Sequence, residues 1–174
     1  MELVVNTDGA RLGVEAARRL AAVGRIPIGR PVTDAEFARV HDAFRFEFAE
    51  DHRAFLAVGL PEGAGWPNWR DVSTDRIRTS LRWPIDGVLS DVSNSAFWPN
   101  DWGQRPASRV EALAVARQAL ATAPQMVPVF GHRYLPAGRG TFGHPVMSIY
   151  QATSIATAQI WWTTSTRSSA PALV

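Results

Sequence analysis

Two apolar runs near the C-terminal end restrict the possible folds most. Val127, Val129 and Phe130 form the first, and Val146, Met147, Ile149 and Tyr150 the second; rich in β-branched and aromatic residues and bounded by Pro and Gly, both have the pattern of short strands. Between them lies a loop holding His132, Arg133, Tyr134, Arg139 and His144 among Gly138, Gly140 and Gly143. The spacing predicts a hairpin, with His132, Arg133 and Tyr134 where one strand ends and His144 where the next begins.

Upstream the apolar period becomes helical. Leu12, Ala16, Leu20 and Val23 predict an amphipathic helix over 11–23 that stops at Gly24. A second is expected over 34–44, carrying Phe37, Val40 and Phe44, capped by Thr33 or Asp34, with Glu36 placed for a capping box. A third, over 50–58, sets Phe55, Leu56 and Val58 on one side and His52 and Arg53 on the other, ending at Gly59-Leu60-Pro61. The following Gly- and Pro-rich stretch holds Trp66 and Trp69, which predicts an ordered loop. A helical turn is expected from Ser73 or Thr74 to Leu81, broken by Trp83-Pro84, then a short strand through Gly87, Val88, Leu89 and Val92 and another at Phe97-Trp98. Ser108–Ala123, between Pro106 and Pro124, gives the strongest helical repeat, with Val110, Leu113, Ala114, Val115 and Leu120. Helices grouped early and strands grouped late predict an α+β domain with a mainly antiparallel sheet packed with several helices.

The 174 residues, 46% hydrophobic and 20% charged, suit one core and hence one domain. Without cysteine there are no disulfides, thiolate metal sites or thiol nucleophiles. No apolar run approaches the ~20 residues of a membrane span, and the N-terminus lacks a signal-peptide pattern, so a soluble cytoplasmic protein is expected. The pI near 9.9 reflects bases that are all arginine; the formal net charge is only +2 and the arginines are scattered, which argues against nucleic-acid binding.

Few residues offer chemistry. His132 and His144 flank one loop and, with Asp91 or Asp101, could make an acid–base pair or a metal site, yet no H-x-x-x-H or H-E-x-x-H spacing exists. There is no G-x-S-x-G elbow, and GRGTFG does not follow the phosphate-loop pattern. Arg133 and Arg139 are placed to meet an acidic partner group. Trp66, Trp69, Trp83, Trp98 and Trp102 are a dense aromatic set beside Arg70, Arg82, Asp101 and Arg105, and Trp and Arg are favoured interface anchors.

Several motifs also carry a resemblance. FEFAEDHRAFLAVGLPEG (Phe46 to Gly63), GWPNWRD, LRWPIDGVLSDV, FWPNDWG (Phe97 to Gly103), GHRYLP and G-x-P-V-x-S-I-Y-Q resemble, in that order, bacterial members of the SUKH superfamily over Val32 to Gln151. That group includes fungal cell-wall-assembly regulators and immunity proteins that neutralise toxins. The resemblance implies a SUKH-like single domain over 1–151 that binds a protein, a toxin in the immunity case, by occlusion and without catalysis, cofactor or metal. The binding residues expected are Trp66, Trp69, Trp98, Trp102, His132, Arg133, Tyr134 and Arg139. The alternative is a small hydrolase or ligand-binding protein centred on the His132, Arg133 and Tyr134 loop with Asp91. Residues 152–174 depart from the family, which continues in a T-D-I-x-x-Y-G-x-D-L pattern. Back-translated with GC-rich codons and read in the frame that follows loss of one nucleotide, they can spell ADVDRYGADLVDYLDAEFGARPR, so the tail is expected to be out of frame.

Overall fold

A computed structural model describes residues 8–149; Tyr150 and the tail read as out of frame lie outside the described residues. In chain order the elements are helices α1 (Asp8–Val23), α2 (Asp34–Phe44), α3 (Glu50–Val58) and α4 (Asp75–Asn94), a 3-10 turn (Asn100–Trp102), helix α5 (Arg109–Leu120), and strands β1 (Met126–Phe130), β2 (Arg133–Pro136) and β3 (Met147–Ser148). The strands make one antiparallel sheet in the order β1-β2-β3, with Val127 opposite Leu135, Pro128 opposite Tyr134, and Tyr134 opposite Met147. The architecture is α+β: the described residues form five α-helices and a small antiparallel sheet. Among the described residues no helix is long and apolar enough to cross a membrane.

The hairpin differs from the expected one. β1 turns at Gly131-His132 and pairs at once with β2, the short RYLP run, and the Gly-rich loop then leads to β3. Pro128 lies in β1, an edge strand of the described sheet, where a missing N–H is tolerated.

The loop 137–146 is held against α3. Glu50 N donates to the Thr141 carbonyl at 2.8 Å, and Gly143 N donates to Asp51 Oδ2 at 2.8 Å. Helix α3 has no side-chain N-cap, so this loop supplies the acceptor for a first-turn N–H that α3 itself leaves open. Against α3 also lies α1, through Gly9 and Gly13. A Cβ on Gly13 would stand 2.8 Å from the Ala54 Cβ, and one on Gly9 2.8 Å from the Glu50 Cβ, so the two backbones meet where α1 has no side chains.

Helix α2 begins as its sequence predicts. Glu36 N donates to Thr33 Oγ1 at 3.3 Å while Thr33 N donates to Glu36 Oε2 at 2.8 Å, a complete capping box. The same carboxylate, 4% exposed, accepts Arg30 Nη2 at 2.6 Å. The Arg30 guanidinium, with the Thr33 N–H, holds the Glu36 carboxyl well below its usual range, at about 2.

The expected break at Pro84 and the strand after it are replaced by helix. α4 runs unbroken through Pro84, and Gly87, Val88, Leu89 and Val92 are helical. Proline removes the N–H that would bond the carbonyl four residues earlier, here Ser80. That carbonyl instead accepts the Tyr134 hydroxyl of β2 at 3.1 Å, and the next one, Leu81, accepts Gln125 Nε2 at 3.1 Å. The sheet therefore supplies, through Tyr134, a donor for the acceptor that the proline leaves open.

The main core is aromatic: Phe37, Phe46, Phe48, Phe55, Trp66 and Trp69 are all buried beneath α1–α3 and the sheet. Trp69 meets Phe48 edge-on at 5.0 Å and Phe46 at 6.1 Å, favourable geometry for ring quadrupoles. A second, smaller cluster of Val92, Ala112 and Ala116 joins α4 to α5, with Trp98 and Trp102 packed over it. α5 is helical as predicted, but its buried face is alanine, and Val110 is 77% exposed.

Candidate functional site

The expected binding residues fall in three different settings. Trp66 and Trp69 are core residues, 8% and 1% exposed, so the Gly/Pro-rich loop turns its aromatics inward. Trp66 stacks toward Phe130 at 4.8 Å, and Gly131 N donates to the Gly65 carbonyl at 2.8 Å, fastening this loop to the hairpin turn. The bare Gly65, at φ +89°, is what lets the Phe130 ring approach.

The hairpin residues separate as strand alternation requires. Tyr134 points inward, 2% exposed, and burial pushes its hydroxyl up to about 12; it serves α4 and is no surface anchor. Arg133 is exposed on the opposite face, with Nη1 3.5 Å from His132 Nε2. The His132 carbonyl accepts Ile149 N at 2.8 Å, which closes the turn onto the chain after β3. Arg139 meets an acidic group of its own chain, Glu47, at 3.6 Å; with both side chains largely exposed this pair contributes little. Asp91 lies on α4 and Asp101 in the 3-10 turn, while His144 lines a cleft against α1 and α3.

Trp98 and Trp102 form the third setting, a half-exposed aromatic shelf over the α4–α5 cluster. Their rings meet edge to face at 5.4 Å, and Phe97, 39% exposed, lies 6.5 Å from Trp102. Trp98 Nε1 donates to the Gly103 carbonyl at 2.7 Å. Arg105 stands 5.9 Å from the Trp98 ring centroid and donates to the carbonyls of Ser95 at 2.9 Å and Val92 at 2.7 Å. A cation on the last carbonyls of α4 is favourable both as a cap and toward the helix dipole. The shelf is thus rigid, aromatic and rimmed by a guanidinium whose position is fixed.

The cleft contains a residue outside the expected set. It is bounded by Leu12, Gly13 and Ala16 of α1, by His52 and Phe55 of α3, and by the sheet, and holds about 440 Å³ of empty space counting its open mouth. His52, expected on the outer side of α3, is 4% exposed, while Val58, expected inside, is 42% exposed. The reason is helical geometry: positions 52, 55 and 56 are three and four apart and share a face. Burial drives the His52 ring down to about 3, so it is neutral at physiological pH. Among the described residues no group of three or more His, Asp or Glu side chains is arranged to hold a metal ion.

Compared with protein-family models, with curated proteins and with solved structures, the chain matches none.

Proposed function

We propose that this chain is a non-enzymatic protein-binding domain of SUKH type, acting as an immunity protein that occludes a toxin. One observation carries the reading: the shelf of Phe97, Trp98 and Trp102 with Arg105 at its rim. Partly exposed aromatics held by hydrogen bonds lose little side-chain entropy on binding, and Trp with Arg is the combination that anchors protein interfaces. The order of the sequence motifs supports the family, and the shelf coincides with one of them, FWPNDWG. The hydrolase alternative is weaker, since Tyr134 is committed to the Ser80 carbonyl and is not at hand for a substrate.

The test is affinity capture from a lysate of the source organism with the unaltered chain and with Phe97→Glu, which places a charge on the shelf. The expected result is a protein held by the first and lost by the second, with unchanged circular dichroism. That protein, produced alone, should arrest growth, and co-production of this chain should restore it. Equal retention by both forms would overturn the shelf as the interface, and a captured partner without toxicity would overturn the immunity role.

A further inference from the structure

We infer that the cleft between α1, α3 and the sheet is a binding site for a small, uncharged, mostly apolar molecule carrying one hydroxyl, phenol being the simplest member of the class. The site is independent of the aromatic shelf. Its walls are apolar, supplied by Leu12, Ala16, Phe55 and Val129, as in most small-molecule sites. One wall is polar. The His52 imidazole lines the cleft, yet among the described residues its ring nitrogens have no hydrogen-bond partner, and the ring meets Phe48 edge-on at 5.1 Å. The hydrogen bond at His52 is made by its backbone N–H, to Asp51 Oδ1 at 2.9 Å.

A ring nitrogen that opens on the cleft can bond water there, and a ligand hydroxyl can take that water's place. A neutral imidazole offers one N–H donor and one bare nitrogen, and a hydroxyl can meet either. The charge of the ligand follows from the surroundings. An anion would face the Asp51 carboxylate, whose two oxygens are already taken by the N–H groups of His52 and Gly143. A cation would lose its hydration among apolar walls.

The test is titration of the full chain with phenol and with toluene, which matches it in size but lacks the hydroxyl, followed by the His52 ring nitrogen resonances. Phenol is expected to move those resonances saturably and to bind about tenfold more tightly than toluene, as one added hydrogen bond predicts. In His52→Leu the preference should vanish while toluene still binds. In Ala16→Phe, which fills the cleft and leaves His52 in place, neither should bind. Absence of a saturable shift with phenol would overturn the inference, as would equal affinity for the two probes in the unaltered chain. Undiminished phenol binding to Ala16→Phe would overturn it even if His52→Leu fails to fold.

Discussion

His52 and Glu36 make two buried polar residues of opposite consequence. Glu36 is surrounded by donors, and burial leaves it ionised. His52 faces Phe48 and the apolar cleft, and burial leaves it neutral. The sign of the pH effect follows. In the folded chain the His52 ring takes up its proton only at about 3, against 6.5 when exposed. Between those values the unfolded chain binds the extra proton, so acid favours unfolding. Stability is expected to fall from pH 6.5 downward by up to about 1.4 kcal/mol per pH unit from this residue. Urea unfolding of the chain and of His52→Gln between pH 7 and pH 4.5 checks this; parallel curves for the two would refute it. Glu36 acts later, its contribution complete above its ordinary value of 4.5 and lost as pH falls to about 2.

The helices show what a sequence can and cannot announce. The start of α2 was legible because Thr33 and Glu36 satisfy each other across a few residues, a local event. The strand nature of 126–130 was legible from its apolar, β-branched pattern, and α5 from its repeat between two prolines. The continuation of α4 was not, because the donor that offsets its proline arrives from Tyr134, far along the chain. Proline 84 signals a break by every local rule, and the sheet overrides it. The burial of Trp66 and Trp69 was equally hidden: a Gly- and Pro-rich loop with tryptophans reads alike whether it covers a core or a partner. His52 was available to a stricter reading, since the three- and four-residue spacing to Phe55 and Leu56 sets it on the buried face. Tyr134→Phe tests the α4 account directly. It leaves the part-buried Ser80 carbonyl without its donor and should cost about 0.5–1.5 kcal/mol, with amide exchange rising in α4 around Pro84; unchanged stability and exchange would mean that water serves as well.

Two apolar clusters of unequal size divide the labour of the fold. The aromatic core binds α1–α3 to the sheet, whereas α4 and α5 meet over Val92 and two alanines, a thin contact that the shelf aromatics and Arg105 complete. A layer secured by so little apolar area opens locally more readily than the aromatic core. Arg105→Ala removes two charge-assisted bonds to the end of α4 and is expected to cost about 1–2 kcal/mol. Native-state hydrogen exchange should show the loss confined to the C-terminal half of α4 and to α5, with protection in β1 and α3 retained; a uniform loss would show that the two clusters open together. The shelf proposed as an interface stands on this weaker layer, so its fixed geometry depends on Arg105 more than on the main core.

The hydrogen bond from Tyr134 to Ser80 spans 54 positions. A ribosome that has just released α4 has not yet made the residue that completes its centre. Until β2 emerges, the carbonyl of Ser80 has only water to bond, and α4 lacks the tie that offsets Pro84. Completion of the longest helix in the described chain is therefore timed by the arrival of its last strands, and a translational stall before residue 134 would leave a nascent chain without that tie.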